Sequence, residues 1–464
     1  MREVDVPMLV DEEFPRVLVV SHTPFSRVSG TAMTLSNLFS GWPRDRLGQV
    51  YTGNITPSTE VCENYFHFPP RDHYLPIQYY SMRMLGWNGQ TPLQQSRPIA
   101  AVHAAAESRP AVARVYAQLR ASADLSPIRV PPALIRWMRD FRPDVVYSML
   151  GSVRLTRITA LAARTCDVPV VPHFTDDWPA TLHANGELFG RATRSVQETT
   201  ARLIRLAPLG MVISQPMADE YARRYGIPFS PFVNCVDESF FAAPRTEVDR
   251  QRGVELVYVG ALHLNRWESL RDIGAALDDV AQTGPPARLT IHAPERDLAQ
   301  YGRHFADLRR VRLGPSLTSE EVPAALRSSD VLVHIESFDE EIRRYTRYSV
   351  STKIPQYLAS GRPVLGYGPA EVASMDHIRQ AGAGVIVGTN DRASLVRDIA
   401  ALCHDAGLRE RLARNGVEFA RQEHARENVA TRFAATLRAA ARAGSVTPDA
   451  AREHLTPRRG GVRR

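Results

Sequence analysis

The chain has 464 residues, 44% apolar and 23% charged, which suits two or three domains with real cores and excludes a disordered chain. Seven arginines against Asp449 and Glu453 from Arg438 onward carry most of the net charge of +7. The rest of the chain is nearly neutral, which argues against a nucleic-acid groove through the fold.

The first residues, MREVDVPMLVDEEFP, carry acids and no long apolar core, so residues 1–14 are read as a tail and no signal peptide is expected. No apolar run reaches the length of a membrane span. RVLVVS (Arg16–Ser21) reads as a buried strand, followed by a glycine turn at Ser29–Gly30 and a helix start. Residues 62–132, rich in proline, arginine and aromatics, break the pattern and are expected to be an insertion. Within it, residues 74–89 read as a flap against the domain, an acceptor or a membrane. Strands are predicted at Pro143–Met149, Val168–Phe174 and Gly210–Ser214, with helices near Arg154–Arg164 and Arg191–Leu206. This alternation is the signature of a parallel α/β sheet.

A second series follows, with strands at Glu255–Gly260, Arg288–Pro294, Asp330–His334, Pro363–Gly368 and Gly384–Val387. Helices at Ser319–Arg327 and Ala370–Ala381 separate them. DEEIRRYTRYS, after Glu336, reads as a flexible loop. Helices then run from about Arg392 to Arg442, and the basic residues 444–464 read as a solvated tail that offers contact to an anionic surface. The expected domains are 15–235 and 236–443, each a doubly wound Rossmann-like sheet. Ligands of such sheets bind beyond the carboxyl ends of the strands. The four cysteines, Cys62, Cys166, Cys235 and Cys403, are scattered without metal-ligand spacing, so no metal site or disulfide is expected and a reduced cytoplasm is the default.

Lys353 is the one lysine in the sequence; every other basic residue counted among the 57 is arginine. It lies in SVSTKIPQYLASGRPVLGYG, where Ser351 or Thr352 reads as the cap of a helix through Tyr357. A compact ammonium beside small hydroxyls at a helix N-terminus suits a phosphate. A lysine surviving by chance is the plainer alternative. In PHFTDDWP, His173, Asp176 and Asp177 offer an acceptor hydroxyl a base or hydrogen-bond partner, or cap and pack the next helix. Glu336, just past DVLVH, is either a ligand contact or an exposed loop acid.

STKIPQYLASGRPVLGYGP resembles the nucleotide-sugar segment of family 4 glycosyltransferases. ELVYVGALHLNRWESL, NCVDESFF, VRLGPSLTSEEVPAALRSSDVLVHIES and PVVPHFTDDWP resemble, in order, further segments of that family. The resemblance implies a GT-B architecture, two Rossmann-like domains facing across a cleft, and retaining transfer of a sugar from a nucleotide-diphosphate donor, with UDP slightly favoured. The acceptor would be a glycan, a lipid-linked glycan or a small molecule. It implies that Ser29, Gly30, Gly260, Arg266, Ser351, Thr352 and Lys353 face the donor diphosphate, and that Glu336, Tyr348 and Gln356 face the nucleoside or sugar. No cofactor or metal is implied. The family's two glutamates are replaced by Tyr348 and Gln356, and its first basic loop residue by Ala261. A non-catalytic scaffold and a nucleotide-sugar 2-epimerase are the alternatives. A dinucleotide dehydrogenase ranks last, because no G-x-G-x-x-G follows Ser21 or Gly260.

Overall fold

The computed structural model describes residues 14–26, 30–84, 110–245, 253–284 and 286–444. Apart from Phe14 and Gly444, the expected tails 1–14 and 444–464 lie outside these residues, as does Ser29. Contacts divide the chain into two compact units. One is built on residues up to Ser96, Arg114–Phe232 and those from Ala430; the other is built chiefly on Val233–Val429.

The first unit holds seven strands: β1 (Val17–Ser21), β2 (Leu47–Tyr51), β3 (Asn64–His67), β4 (Val145–Leu150), β5 (Val170–Phe174), β6 (Gly210–Val212) and β7 (Phe229–Pro231). All pairs are parallel and the order is β3-β2-β1-β4-β5-β6-β7. β1, β4 and β5 are buried along their whole length, which is why they read as unbroken apolar runs. β2 is equally buried but escapes a hydrophobicity reading, because LGQVY carries Gly48 and Gln49 at its centre. The Gln49 amide is satisfied inside: its Oε1 accepts from the Phe25 N–H at 3.0 Å and its Nε2 donates to Ser21 Oγ at 2.7 Å. The Phe141 ring lies 3.1 Å from where a Cβ on Gly48 would stand, so the ring packs in the space glycine leaves. β3 corrects the expected insertion at 62–132: the sheet continues into that stretch and ends there.

The second unit holds β8 (Val254–Val259), β9 (Ala287–His292), β10 (Val311–Leu313), β11 (Val331–Ile335), β12 (Val364–Tyr367) and β13 (Gly384–Val387). They are again all parallel, in the order β10-β9-β8-β11-β12-β13. Strand order reverses between β1 and β4 in the first sheet and between β8 and β11 in the second. These are the topological switch points where such sheets bind ligands. The segment read as a flexible loop forms a helix, Glu340–Thr346, with Asp339 Oδ1 accepting from the N–H groups of Glu341 and Ile342 at 3.0 Å each. Acids in its first turn and arginines in its last match the helix dipole, and Ile342 is buried.

The expected division at 235/236 falls at Phe232/Val233, and the last helix, Arg426–Ala443, departs from the expected second domain. Residues from Ala430 group with the first unit because of Phe433. Its fully buried ring meets Phe39 at 5.0 Å, Tyr147 and Phe232 at 5.5 Å and Trp42 at 6.4 Å, all edge to face. Phe433→Ala should lower the stability of the first unit by about 3–5 kcal/mol, the usual cost of deleting a buried phenyl ring. Urea unfolding followed by tryptophan fluorescence measures it.

Candidate functional site

At the carboxyl end of β8, Gly260 opens a loop that turns through Leu264 and Asn265 into the helix Arg266–Thr283. Both Leu264 and Asn265 have left-handed backbones, φ 59° and 53°, a conformation that costs a leucine free energy and collects at functional loops. The loop is pinned from beneath. Asp297 Oδ2 accepts from the Leu262 N–H at 2.8 Å, and the Tyr258 hydroxyl donates to the Ala261 carbonyl at 2.6 Å. Arg266 therefore starts its helix at the switch point.

Glu336 follows directly on β11 and is buried. Its N–H donates to the Tyr367 carbonyl at 2.9 Å, and its carboxylate lies 3.7 Å from Arg266 Nη2 and 3.3 Å from His334 Nε2. Burial pushes its carboxyl pKa up, but Arg266 chiefly, then His334 and Ser374, bring it below the usual value. The alternative of an exposed loop acid is thus corrected: Glu336 is buried and is the counter-charge of Arg266. Burial works against the Arg266 charge, and Glu336, with Tyr258 and Tyr357, more than offsets it.

Lys353 stands beside Gly260. A Cβ at Gly260 would lie 2.9 Å from Lys353 Nζ and 2.6 Å from Tyr258 Oη, so the absence of a side chain makes room for the amine. The lysine is placed by Tyr357, one turn on, whose hydroxyl donates to the Val259 carbonyl and accepts from the Val259 N–H, each at 3.1 Å. The sequence reading of this helix start needs correcting. The helix is short, Ile354–Ala359, with Lys353 itself at the cap position and no side-chain cap from Ser351 or Thr352. Those two residues hold the turn instead: the Ser351 N–H donates to Ser374 Oγ at 3.2 Å, and the Thr352 carbonyl accepts from Asn234 Nδ2 at 3.4 Å. The charged groups gathered here are thus two side-chain cations, Arg266 and Lys353. Desolvation, then repulsion from Arg266, lowers the Lys353 amine to about 8, with Glu336 and Asp297 pulling the other way. His263, in the same loop, is pushed down to about 4 by burial and by Arg266, and stays neutral at physiological pH.

The structure thus gathers Gly260, Arg266, Glu336 and Lys353, with Ser351 and Thr352 in the adjoining turn. Gln356 lies three residues after Lys353, hence on the same helix face. Tyr348 is half-buried, with the Arg347 guanidinium 5.2 Å from its ring centre. Asn234, Tyr258, His263, Asp297, His334, Tyr357 and Ser374 were missed. Asn234, Tyr258, His263, His334 and Tyr357 stand in the resembling segments and Asp297 and Ser374 outside them, but the contacts that give them their places are not written in those segments.

In the first unit, Gly30 begins the helix Gly30–Leu38 and is exposed. His173 does not present itself as a base. It is fully buried, its Nδ1 is 2.7 Å from the Tyr147 hydroxyl, and burial drops its pKa to about 3. Asp177 neither caps the helix Trp178–Thr181 through its side chain nor stands open. Its Oδ1 accepts from the Tyr221 hydroxyl at 2.8 Å and Arg224 Nη1 at 2.9 Å, and its Oδ2 accepts from Arg224 Nη2 at 3.2 Å. It ties the helix Gln215–Tyr225 to the end of β5. Asp176 is half-buried, its Oδ2 accepting from Thr175 Oγ1 at 3.2 Å. Among the described residues no three His, Cys, Asp or Glu side chains cluster to hold a metal.

Two all-parallel doubly wound sheets in one chain, with ligand loops at their switch points, define the GT-B fold. A family model described as Glycosyltransferase Family 4 matches residues 96–238, and one described as Glycosyl transferase-like matches residues 271–435. The chain is a family 4-like glycosyltransferase, an enzyme of sugar transfer. Among solved structures, HepE of Anabaena in complex with UDP-glucose is 13% identical with a TM-score of 0.57, over 91% of this chain and 99% of that one. Sucrose-phosphate synthase of Thermosynechococcus elongatus is 13% identical with a TM-score of 0.59, over 92% and 100%. A UDP-forming α,α-trehalose-phosphate synthase of Burkholderia vietnamiensis is 14% identical with a TM-score of 0.61, over 93% and 100%. At these identities the likeness is one of fold. No curated protein matches the chain in sequence.

Asp177→Asn should lower the stability of the first unit by roughly 1–3 kcal/mol, because it weakens a charge-assisted network. Nucleotide binding should be unchanged. Urea unfolding beside calorimetric titration separates this from a catalytic role, which would remove turnover at unchanged stability.

Proposed function

We propose that this enzyme transfers a sugar, with retention, from a nucleotide-diphosphate sugar held by the second unit to an acceptor hydroxyl. The observation that carries the reading is the pairing of Arg266 and Lys353 at the end of β8, with Gly260 giving the amine its room. Two cations held close repel each other and are stabilised by an anion that bridges them. A diphosphate leaving group gathers negative charge as the glycosidic bond breaks, so pre-placed cations lower that barrier more than they favour the bound donor. The planar Arg266 fork accepts two phosphate oxygens, and Lys353 supplies a point charge. Glu336 keeps the Arg266 guanidinium aimed. Gln356 is assigned to the donor ribose as an uncharged hydrogen-bond partner, and Ser29, Gly30, Ser351, Thr352 and Tyr348 to the donor's surroundings. Asp176 is assigned to the acceptor hydroxyl, since His173 and Asp177 are engaged inside the fold.

The donor is proposed to be a UDP-sugar, in line with the UDP and UDP-glucose complexes of HepE. The diphosphate charge is assigned to the two side chains, without a metal. The acceptor is a glycan, a lipid-linked glycan or a small molecule.

Calorimetric titration of UDP, GDP and ADP in EDTA tests the reading. One nucleotide should bind, and Lys353→Ala should weaken it by about 1.5–3 kcal/mol, roughly 10- to 150-fold. Lys353→Arg should not restore it, because the larger guanidinium meets Tyr258 in the space beside Gly260. Absence of binding by any of the three to folded protein would overturn the assignment and leave a scaffold.

The same amine sets a pH dependence. Its pKa in the unliganded protein is lowered to about 8, and only the protonated form attracts the diphosphate. Affinity should hold below about pH 8 and fall as pH rises through it. A bound diphosphate raises the amine's pKa, so binding near pH 8.5 should take up protons. Titrations in buffers of different ionisation enthalpy measure that uptake, and Lys353→Ala should abolish it.

A further inference from the structure

We propose that the first unit docks on an anionic lipid surface through an apolar patch assembled from three segments. Among the described residues seven large hydrophobic side chains are exposed, and five belong to this one region: Ile77, Tyr80, Met84, Val115 and Phe189. Ile77, Tyr80 and Met84 stand at i, i+3 and i+7 of the helix Pro76–Met84, so they form one face, with Met84 89% and Ile77 76% exposed. The opposite face is the packed one. Met82 is buried with Tyr74 and Ala123, Tyr79 packs against that cluster, and Gln78 Nε2 donates to the Ser122 carbonyl at 3.5 Å. This fixes the helix against the helix Pro110–Leu125.

On that second helix Val115, Gln118 and Ser122 share a face by the same spacing. Ser122 meets the first helix. Gln118 Oε1 accepts from the Leu188 N–H at 2.9 Å and so fastens the third segment. There Leu188 and Phe189 hold left-handed backbones, φ 52° and 58°, between two glycines of the same hand, Gly186 and Gly190. Such a backbone is unfavourable for a bulky residue. The turn nonetheless keeps the Phe189 ring 100% exposed. A ring held outward at that cost, beside a helix with an apolar outer face, has the form of an interfacial anchor.

The charge around the patch selects the surface. Arg83, Arg114, Arg191 and Arg194 are exposed on or next to these segments. Within the three segments the carboxylates are withdrawn, Asp124 buried 3.0 Å from His183 and Glu187 buried, while the exposed Glu198 on the helix of Arg191 and Arg194 is paired with Arg202 at 2.9 Å. The helix Pro76–Met84 carries no acid at all. Aromatic and aliphatic side chains that enter the acyl boundary, ringed by arginines at headgroup level, fit a bilayer rich in anionic lipid. The surface is independent of the donor site, so the failure of one proposal leaves the other standing.

The test is co-flotation of the full chain with vesicles of phosphatidylcholine alone and with roughly 30% phosphatidylglycerol added. Beside it run a chain cut after Gly444 and the triple variant Ile77→Ser, Tyr80→Ser, Phe189→Ser. The proposal expects binding to the anionic vesicles, retained by the cut chain and weakened at least about tenfold in the triple variant. An unchanged circular-dichroism spectrum and urea-unfolding transition of that variant show that the first unit is folded. Three results would overturn the proposal. One is no flotation by the wild type. Another is loss of flotation in the cut chain alone, which would give the role to the basic tail. The third is a wild-type dimer that the triple variant turns into a monomer, which would show the patch covered by a second copy.

Discussion

The cations at the switch point of the second sheet are held by one buried carboxylate. Glu336, at the end of β11, is taken out of water and answered by Arg266 from the end of β8. A lone buried carboxylate is costly, and so is a lone buried guanidinium. Together they fix each other, and the sheet fixes both, because β8 and β11 are neighbours at the point where strand order reverses. Lys353 then enters an environment already charged. Burial, and then repulsion from Arg266, outweigh the attraction of Glu336 and Asp297, so the amine holds its proton less firmly than a solvated lysine does.

The hydroxyl of Tyr357 makes that arrangement exact. By bonding both backbone groups of Val259 it locks the helix that follows Lys353 to the strand that precedes Gly260. Two loops separated by almost a hundred residues are thereby held in register through a strand's main chain, which deforms less readily than side chains do. The family's usual glutamates are absent from this segment, yet the two cations and their supports remain.

Much of this was legible in the sequence, for physical reasons. The central strands of a parallel sheet are covered on both faces, so eight of them read as short apolar runs, as does the edge strand β13. Lys353 stood out because arginine replaces lysine everywhere else. The strands that were missed lie at sheet edges or carry polar residues. Gln49 is hidden because its hydrogen bonds are made to Phe25 and Ser21, invisible to a hydropathy reading. Burial was the harder quantity. Asp176 and Asp177 are adjacent and chemically identical, and only the third dimension binds one of them to Arg224 and Tyr221. His173 looked like a base because its strand ends at a ligand-binding edge; nothing in the tripeptide around it announces the aromatic cluster that encloses it.

The return of the last helix to the first unit has a consequence for biosynthesis. Phe39, Trp42 and Tyr147 are made early, but the ring that covers them, Phe433, is made after the whole second unit. During translation the second unit can close on its own sheet while the first waits with an aromatic surface bare. The order of completion is therefore the reverse of the order of synthesis. A chain released before residue 433 would expose that surface to chaperones and to its neighbours.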